Sequence, residues 1–123
     1  MEGVAYNSRW LLGYVERFVK RTLPGIRAIG GGVQSDLWCQ ILADVLGRDI
    51  HRMENPLQAN TRGAALLAAL ALGALQADAI GDCVRIERTF APDSRNRPVY
   101  DRLFPIFLEL YRRHSRLQAR LGR

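Results

Sequence analysis

The chain has 123 residues, 48% of them hydrophobic and 24% charged, with a formal net charge of +6. That length suits one domain able to bury a core, and the balance of residue types excludes a disordered segment. The longest apolar run, Gly63 to Ala77, is too short and too rich in alanine to span a bilayer. No succession of charged, apolar and small residues at the N-terminus reads as a signal peptide, and Cys39 and Cys83 stand in no paired spacing. A cytoplasmic protein with both thiols packed rather than reactive is expected.

In chain order, the first segment carries Val4, Leu11, Val15, Phe18 and Val19 near helical spacing, which predicts an amphipathic helix to about Arg21. Pro24-Gly25 ends it. Ile26 to Ile29 is a short strand candidate that runs into Gly30-Gly31-Gly32. Ser35 or Asp36 is placed to N-cap a second helix with an apolar stripe of Leu37, Ile41, Leu42 and Val45. Gly47 is placed to close that helix in the left-handed conformation. Asp49 to Met53 is the second strand candidate, stopped by Asn55-Pro56.

The third helix, from Asn60 or Thr61 to about Leu75, is apolar nearly all round and is expected in the interior. Asp78 to Val84 reads as a short helix or turn, and the charged stretch through Pro92 and Pro98 as irregular. A fourth helix from about Val99 to Leu121 repeats Tyr100, Phe104, Phe107 and Tyr111 at helical spacing, so these form its buried side. Seven arginines (97, 102, 112, 113, 116, 120 and 123) against Asp101 and Glu109 place most of the chain's excess charge there. Basic helices can hold nucleic acid or anionic lipid. These arginines do not interleave with aromatics as a base-stacking surface requires, so a solvated face is the reading, with neither nucleic acid nor membrane as partner.

The glycine run is the chemistry-bearing feature. Glycines between a strand and a helix allow positive φ and let a flat ligand approach the main chain. No lysine followed by serine or threonine comes after them, so this is not a P-loop. The spacing also fails for a dinucleotide-binding turn, and Glu54 is the nearest thing to its acidic residue. His51 and His114 have no partner at metal-ligand spacing, and no catalytic triad is indicated. Asp36 is expected to support the second helix through its dipole, and Asp44 to lie at the surface.

The string from Gly30 to Asp44, Gly-Gly-Gly-Val-Gln-Ser-Asp-Leu-Trp-Cys-Gln-Ile-Leu-Ala-Asp, resembles the adenosine-binding segment of the FGGY carbohydrate kinases, above all their xylulose kinase branch. Three further segments fall in the family's order: Glu2 to Asn7, Arg62 to Ala68, and Tyr100 to Pro105 running on to Leu110-Tyr111. The resemblance implies an α/β fold, a partial ribonuclease H-like (actin-like ATPase) domain with helices packed on a short, incomplete parallel sheet. It implies that residues 1–123 are the C-terminal part of the kinase's C-terminal domain, truncated at its N-terminus. Such a piece would be a split subunit, a gene remnant or an excised fragment.

The same resemblance implies a wall for adenine and ribose. Gly30, Gly31 and Gly32 would give close backbone approach, Val33 and Gln34 would border the ring, and Ser35 would supply a polar contact near the base as well as an N-cap. The cofactor would be ATP, as Mg-ATP in the complete enzyme, with a sugar hydroxyl as nucleophile. The general-base aspartate and the phosphate-binding turns belong to upstream parts of the family, so no catalytic residue is expected here and the isolated chain is expected to be inactive. Partners would be an adenine nucleotide, an N-terminal kinase half, or a second copy. The alternative is a non-catalytic remnant or subunit that binds nucleotide weakly or docks another protein. Two strands cannot cover four helices, so an orphan sheet edge and an uncovered apolar face are expected.

Overall fold

The computed structural model describes the backbone of residues 1–121 and the side chains of residues 1–115. The expected exposure of Arg116, Arg120 and Arg123 lies outside those described residues. The elements are α1 (Glu2–Val19), β1 (Gly25–Ala28), α2 (Asp36–Leu46), β2 (Asp49–Met53), α3 (Ala59–Ala71), β3 (Ile86–Phe90) and α4 (Arg97–Leu121). Short 3-10 turns stand at Gly31–Gln34, Pro56–Gln58 and Ala77–Cys83.

The sheet is mixed, which corrects the expectation of a parallel one. Its order is β1-β2-β3. β1 runs parallel to β2, from Gly25 opposite Asp49 to Ala28 opposite Arg52. β3 pairs antiparallel on the other side, from Ile50 opposite Phe90 to Met53 opposite Ile86. β3 falls in the stretch read as irregular. Its residues Ile86 to Thr89 are exposed and Phe90 alone is buried, so a charged edge strand shows no hydrophobic alternation.

The core joins α1, α2 and the sheet through Tyr6, Leu12, Cys39, Val45, Leu46, Ile50 and Phe90. α1 packs through Ala5, Tyr6 and Leu12, whereas the expected stripe of Val4, Leu11, Val15, Phe18 and Val19 is exposed, Phe18 to 87%. The reason lies on α4, where Tyr100, Phe104 and Phe107 surround the Tyr6 ring with centroids 6.1, 6.2 and 5.5 Å away. Tyr111, also expected on that buried side, meets Trp10 edge-on at 4.9 Å but remains exposed. In α2 the expected stripe packs except at its first position: Val45 is buried, Ile41 and Leu42 lie half-buried against the core, and Leu37 is exposed, while Cys39, Ala43 and Leu46 join the buried face. Gly47 closes α2 at φ 63° as expected, its N–H donating to the Ala43 carbonyl at 2.8 Å. Glu16 ties the ends of α1 and α2 together, accepting from the Leu23 N–H at 2.9 Å and from Arg48 at 3.0 Å.

Three placements overturn the surface-and-interior reading. Asp44 is 3% exposed rather than at the surface. It accepts from Gln40 Nε2 at 2.8 Å, the Asp93 N–H at 2.7 Å and Asn96 Nδ2 at 2.8 Å, and so pins the β3–α4 connection to α2. Conversely, α3 has no buried residue despite its composition; Leu72 just beyond it is 83% exposed. Cys83 is exposed, while Cys39 is buried and its thiol pKa is raised by that burial.

The outer apolar stripe of α1 borders an open groove of about 280 Å³, lined also by Ile26 and Ala28 of β1, Leu42 and Leu46 of α2, and Ile50. Among the described residues β1 has no strand on its far side. The expected orphan edge and uncovered apolar face are both present.

Removing the Asp44 carboxylate would leave the Asp93 N–H and the Asn96 amide without their acceptor, while Gln40 keeps its bond to the Ala91 carbonyl at 2.9 Å. Asp44→Ala is expected to lower stability by about 2–3 kcal/mol, with Asp44→Asn less severe, read by urea denaturation. A wild-type midpoint in the alanine variant would show that solvent replaces those bonds. The exposed faces of α1 and α3 predict that the chain binds a hydrophobic dye and self-associates with concentration. Light scattering from a dye-silent monomer at high concentration would contradict that.

Candidate functional site

The glycine turn is built where β1 delivers the chain into α2. Of the three glycines, Gly30 alone takes positive φ, at 93°, and its N–H donates to the Pro56 carbonyl at 2.9 Å. A Cβ on Gly31 would lie 3.7 Å from Leu57, an ordinary contact. On Gly32 it would come within 3.2 Å of the Trp38 ring nitrogen, a tight approach. The conformational demand therefore sits at Gly30, the steric one at Gly32, and Gly31 is open.

Gly31 to Gln34 form the 3-10 turn, and Ser35 follows as N-cap of α2, its Oγ accepting from the Trp38 N–H at 3.3 Å. Gly31, Gly32, Gln34 and Ser35 are exposed. Val33 points the other way, 5% exposed within the core, so its side chain cannot border a ring lying on the outer surface of the turn. Its carbonyl accepts from Cys39 Sγ at 3.3 Å and from Arg52 Nη1 at 3.3 Å.

Arg52 is the residue that the sequence reading missed. It sits on the same face of β2 as Ile50 and is 9% exposed. Its Nη1 donates to Asp36 Oδ1 at 2.6 Å, and its Nη2 to Glu87 Oε1 at 3.4 Å. Arg52 Nε stands 3.3 Å from Glu87 Oε2 but without hydrogen-bond alignment, so the contact there is an ion pair and not a hydrogen bond. Arg88, opposite Arg52 in register, binds the other oxygen of Asp36. The hydrogen bond from Arg52, reinforced by the charges of Arg88 and Arg52, holds the Asp36 carboxyl below the usual carboxylate range against the opposing effect of desolvation. Asp36 does lie in the first turn of α2, as its dipole role requires, but its main partners are these two guanidinium groups. An arginine alternating in step with Ile50 on a short strand was the signal available for this cluster.

Beside the turn lies a cavity of about 530 Å³ lined by Gln34, Asp36, Arg52, Glu54, Asn55, Pro56 and Glu87. Of the predicted site residues, Gln34 reaches it. Asp36, Glu54 and Glu87 line it against Arg52, and even with Asp36 held by both Arg52 and Arg88 the carboxylates outnumber the guanidinium groups, which suits hydroxyl or amino groups rather than phosphate. It opens beyond the C-terminal ends of the parallel strands β1 and β2, where α/β sheets characteristically take their ligands. His51 decorates β2 with Nδ1 2.9 Å from Thr89 Oγ1, and His114 is exposed on α4.

Residues 1–72 match the model of the C-terminal domain of the FGGY family of carbohydrate kinases. The chain belongs to that family. It is 28% identical over 98% of its length to a xylulose kinase of Staphylococcus epidermidis, of which it covers 24%. It is 27% identical over 91% of its length to a gluconokinase of Bacillus licheniformis, covering 22% of that protein. Among solved structures, a ligand-bound xylulose kinase from Lactobacillus acidophilus superposes with TM-score 0.76 at 28% identity, covering 93% of this chain and 23% of that one. A xylulose kinase from Rhodospirillum rubrum gives 0.73 at 33% identity, covering 99% and 24%. The chain thus spans about a quarter of the length of these relatives. Its fold is that of the C-terminal domain in these xylulose kinases, an actin-like ATPase architecture, with helices on a three-stranded mixed sheet. No helix of the described residues is long and apolar enough to cross a membrane.

The Asp36 cluster has a defined pH signature. A carboxyl depressed in the folded state contributes stability that is fully present above its unfolded pKa and is lost as pH falls through the folded value. The Asp36 titration, followed by carboxyl NMR, is expected below the ordinary carboxylate range and to rise toward it in Arg52→Gln. An unmoved midpoint in that variant would assign the depression to Arg88 alone.

Proposed function

We propose that residues 1–123 form the C-terminal part of an FGGY kinase C-terminal domain and serve as its adenosine-binding portion. The complete enzyme would be an ATP-dependent, xylulose-like carbohydrate kinase. The carrying observation is the open glycine turn, with Gly30 at positive φ, at the rim of an acceptor-rich cavity beyond the ends of two parallel strands. Gly30, Gly31 and Gly32 would allow the base to lie on the main chain, and Gln34 and Ser35 offer polar side chains at its border. Val33 would take part through its backbone, since its side chain is in the core. Asp36, Glu54 and Glu87 suit the hydroxyl and amino groups of a nucleoside and would repel its phosphates.

The phosphates of Mg-ATP, the sugar and the general base are then matters for the rest of the kinase. Transfer would proceed by in-line attack of a sugar hydroxyl on the γ-phosphate once the domains close and exclude water. The groove along the β1 edge supports the other reading, that of a docking module for a kinase half or a second copy, because an unpaired strand beside apolar surface is where another chain can add.

With a single wall available, most of a nucleotide stays wet, so the chain alone is expected to bind ATP no tighter than roughly millimolar. Gly31→Val separates binding from folding, because a Cβ at Gly31 meets only ordinary contact. Calorimetric titration of ATP is expected to lose its heat in Gly31→Val and to keep it in Arg113→Ala on α4, with both variants melting like the wild type. Undiminished binding in Gly31→Val would remove the adenosine assignment.

A further inference from the structure

We propose that the cleft between α1 and α4 is a second ligand site, one that takes a small phosphorylated molecule of the sugar-phosphate class. The cleft has a volume of about 440 Å³, within the range of small-molecule sites, and shares no lining residue with the glycine-turn cavity. Five guanidinium groups line it: Arg9 and Arg17 from α1, Arg48 from the end of α2, and Arg97 and Arg112 from α4. These positions span more than a hundred residues of sequence, so their convergence is a product of the fold and not of one basic helix.

The carboxylates at hand are already engaged. Glu16 accepts two bonds from Arg48 Nη2, at 3.0 and 3.1 Å, besides the Leu23 N–H. Asp101 is shared between Arg9, at 2.5 Å, and Arg97, at 3.0 Å. Arg17 donates to the Gly13 carbonyl and lies over the Tyr14 ring, and among the described residues neither it nor Arg112 has a carboxylate partner. Arg9 stacks 4.5 Å over Phe104, and its Nη1 is buried with no hydrogen-bond partner among the described residues. A charged donor left desolvated and unpaired is costly unless an acceptor reaches it, and the cleft is lined by this same side chain.

Like charges crowded into a concave, partly buried space repel each other, and an anion with several oxygens relieves that repulsion while meeting guanidinium forks with matched geometry. Trp10 adds an aromatic wall on which the carbon skeleton of a sugar can rest. A solvated basic face would spread its arginines outward. A nucleic-acid surface would present them along an open track that follows a strand rather than within one cleft. A walled cleft instead fits a compact ligand.

The test uses the full chain with Trp38→Phe, which leaves Trp10 as the one indole reporter. Ribose 5-phosphate, inorganic pyrophosphate and inorganic phosphate are each titrated by fluorescence and calorimetry at fixed ionic strength. Saturable binding of ribose 5-phosphate is expected, tighter than inorganic phosphate and weakened about tenfold or more by Arg17→Gln with Arg112→Gln. Both arginines are exposed and outside any ion pair among the described residues, so the variant should melt like its parent. Gly31→Val, at the glycine turn and outside the cleft lining, should bind ribose 5-phosphate normally. No saturable binding, or equal binding in the arginine variant, would overturn the site. Inorganic phosphate binding as tightly would overturn the sugar-phosphate class. Duplex DNA bound without competition from the small phosphates would reassign the surface to nucleic acid.

Discussion

The arrangement around the glycine turn depends on one buried guanidinium. Arg52 lies on the core side of β2, opposite Arg88 in register, where two like charges would ordinarily destabilise a sheet. Asp36 resolves the conflict by bonding both. Because Asp36 is also the first residue of α2, the same carboxylate fixes where the helix begins relative to the sheet. Arg52 completes the link by holding the Val33 carbonyl, so the turn is fastened at its middle and at its exit. Arg52 is buried but its carboxylate partners are half exposed, so the pairs themselves add little, whereas a desolvated guanidinium that loses its carboxylate is strongly destabilising. The cluster is accordingly better understood as a device for position than as a source of stability.

What could be read in the sequence follows from the range of each signal. The glycine turn, the Ser35 cap, the left-handed Gly47 and the span of β2 are written in adjacent residues, and each was legible. β3 was not, because Glu87 and Arg88 take their meaning from Arg52 and Asp36, far away in sequence. Asp44 looked like a surface acid because its three donors include Asp93 and Asn96, about fifty residues on. The face of α1 was misjudged for a related reason. That helix carries two apolar stripes, and the one that packs is chosen by aromatic rings on α4. Family likeness reached the fold, whereas Arg52 and the arginine cleft become visible only once the side chains are placed together.

The apolar helix α3 shows how composition can mislead when a domain's cover lies elsewhere. A helix apolar all round is normally interior. Here it packs chiefly on the Pro56–Gln58 turn that precedes it and keeps no residue buried. The outer stripe of α1 and the free edge of β1 are in the same condition. Three separate elements thus carry apolar surface that the described residues do not cover. A polypeptide spanning about a quarter of its relatives is where such surface makes physical sense, since a three-stranded sheet offers too little area to cover four helices.

Charge is divided along α2. A helix of 11 residues is about 16 Å long and carries partial positive charge at its start and partial negative charge at its end. Asp36 occupies the start, and Arg48 and Arg97 gather at the end, the latter packed against Gly47. Both ends therefore follow the dipole, but the consequence for ligands is inverted. The N-terminus, ordinarily the place where a helix takes a phosphate, is already filled by a carboxylate locked to two arginines. Added negative charge is repelled there, and neutral donors such as hydroxyl and amino groups are favoured. At the other end the arginines outnumber the carboxylates they bind, and the residual field is positive. One helix thereby separates a surface that favours neutral hydrogen-bond donors from a surface that favours anions, and the two need not compete for the same chemistry.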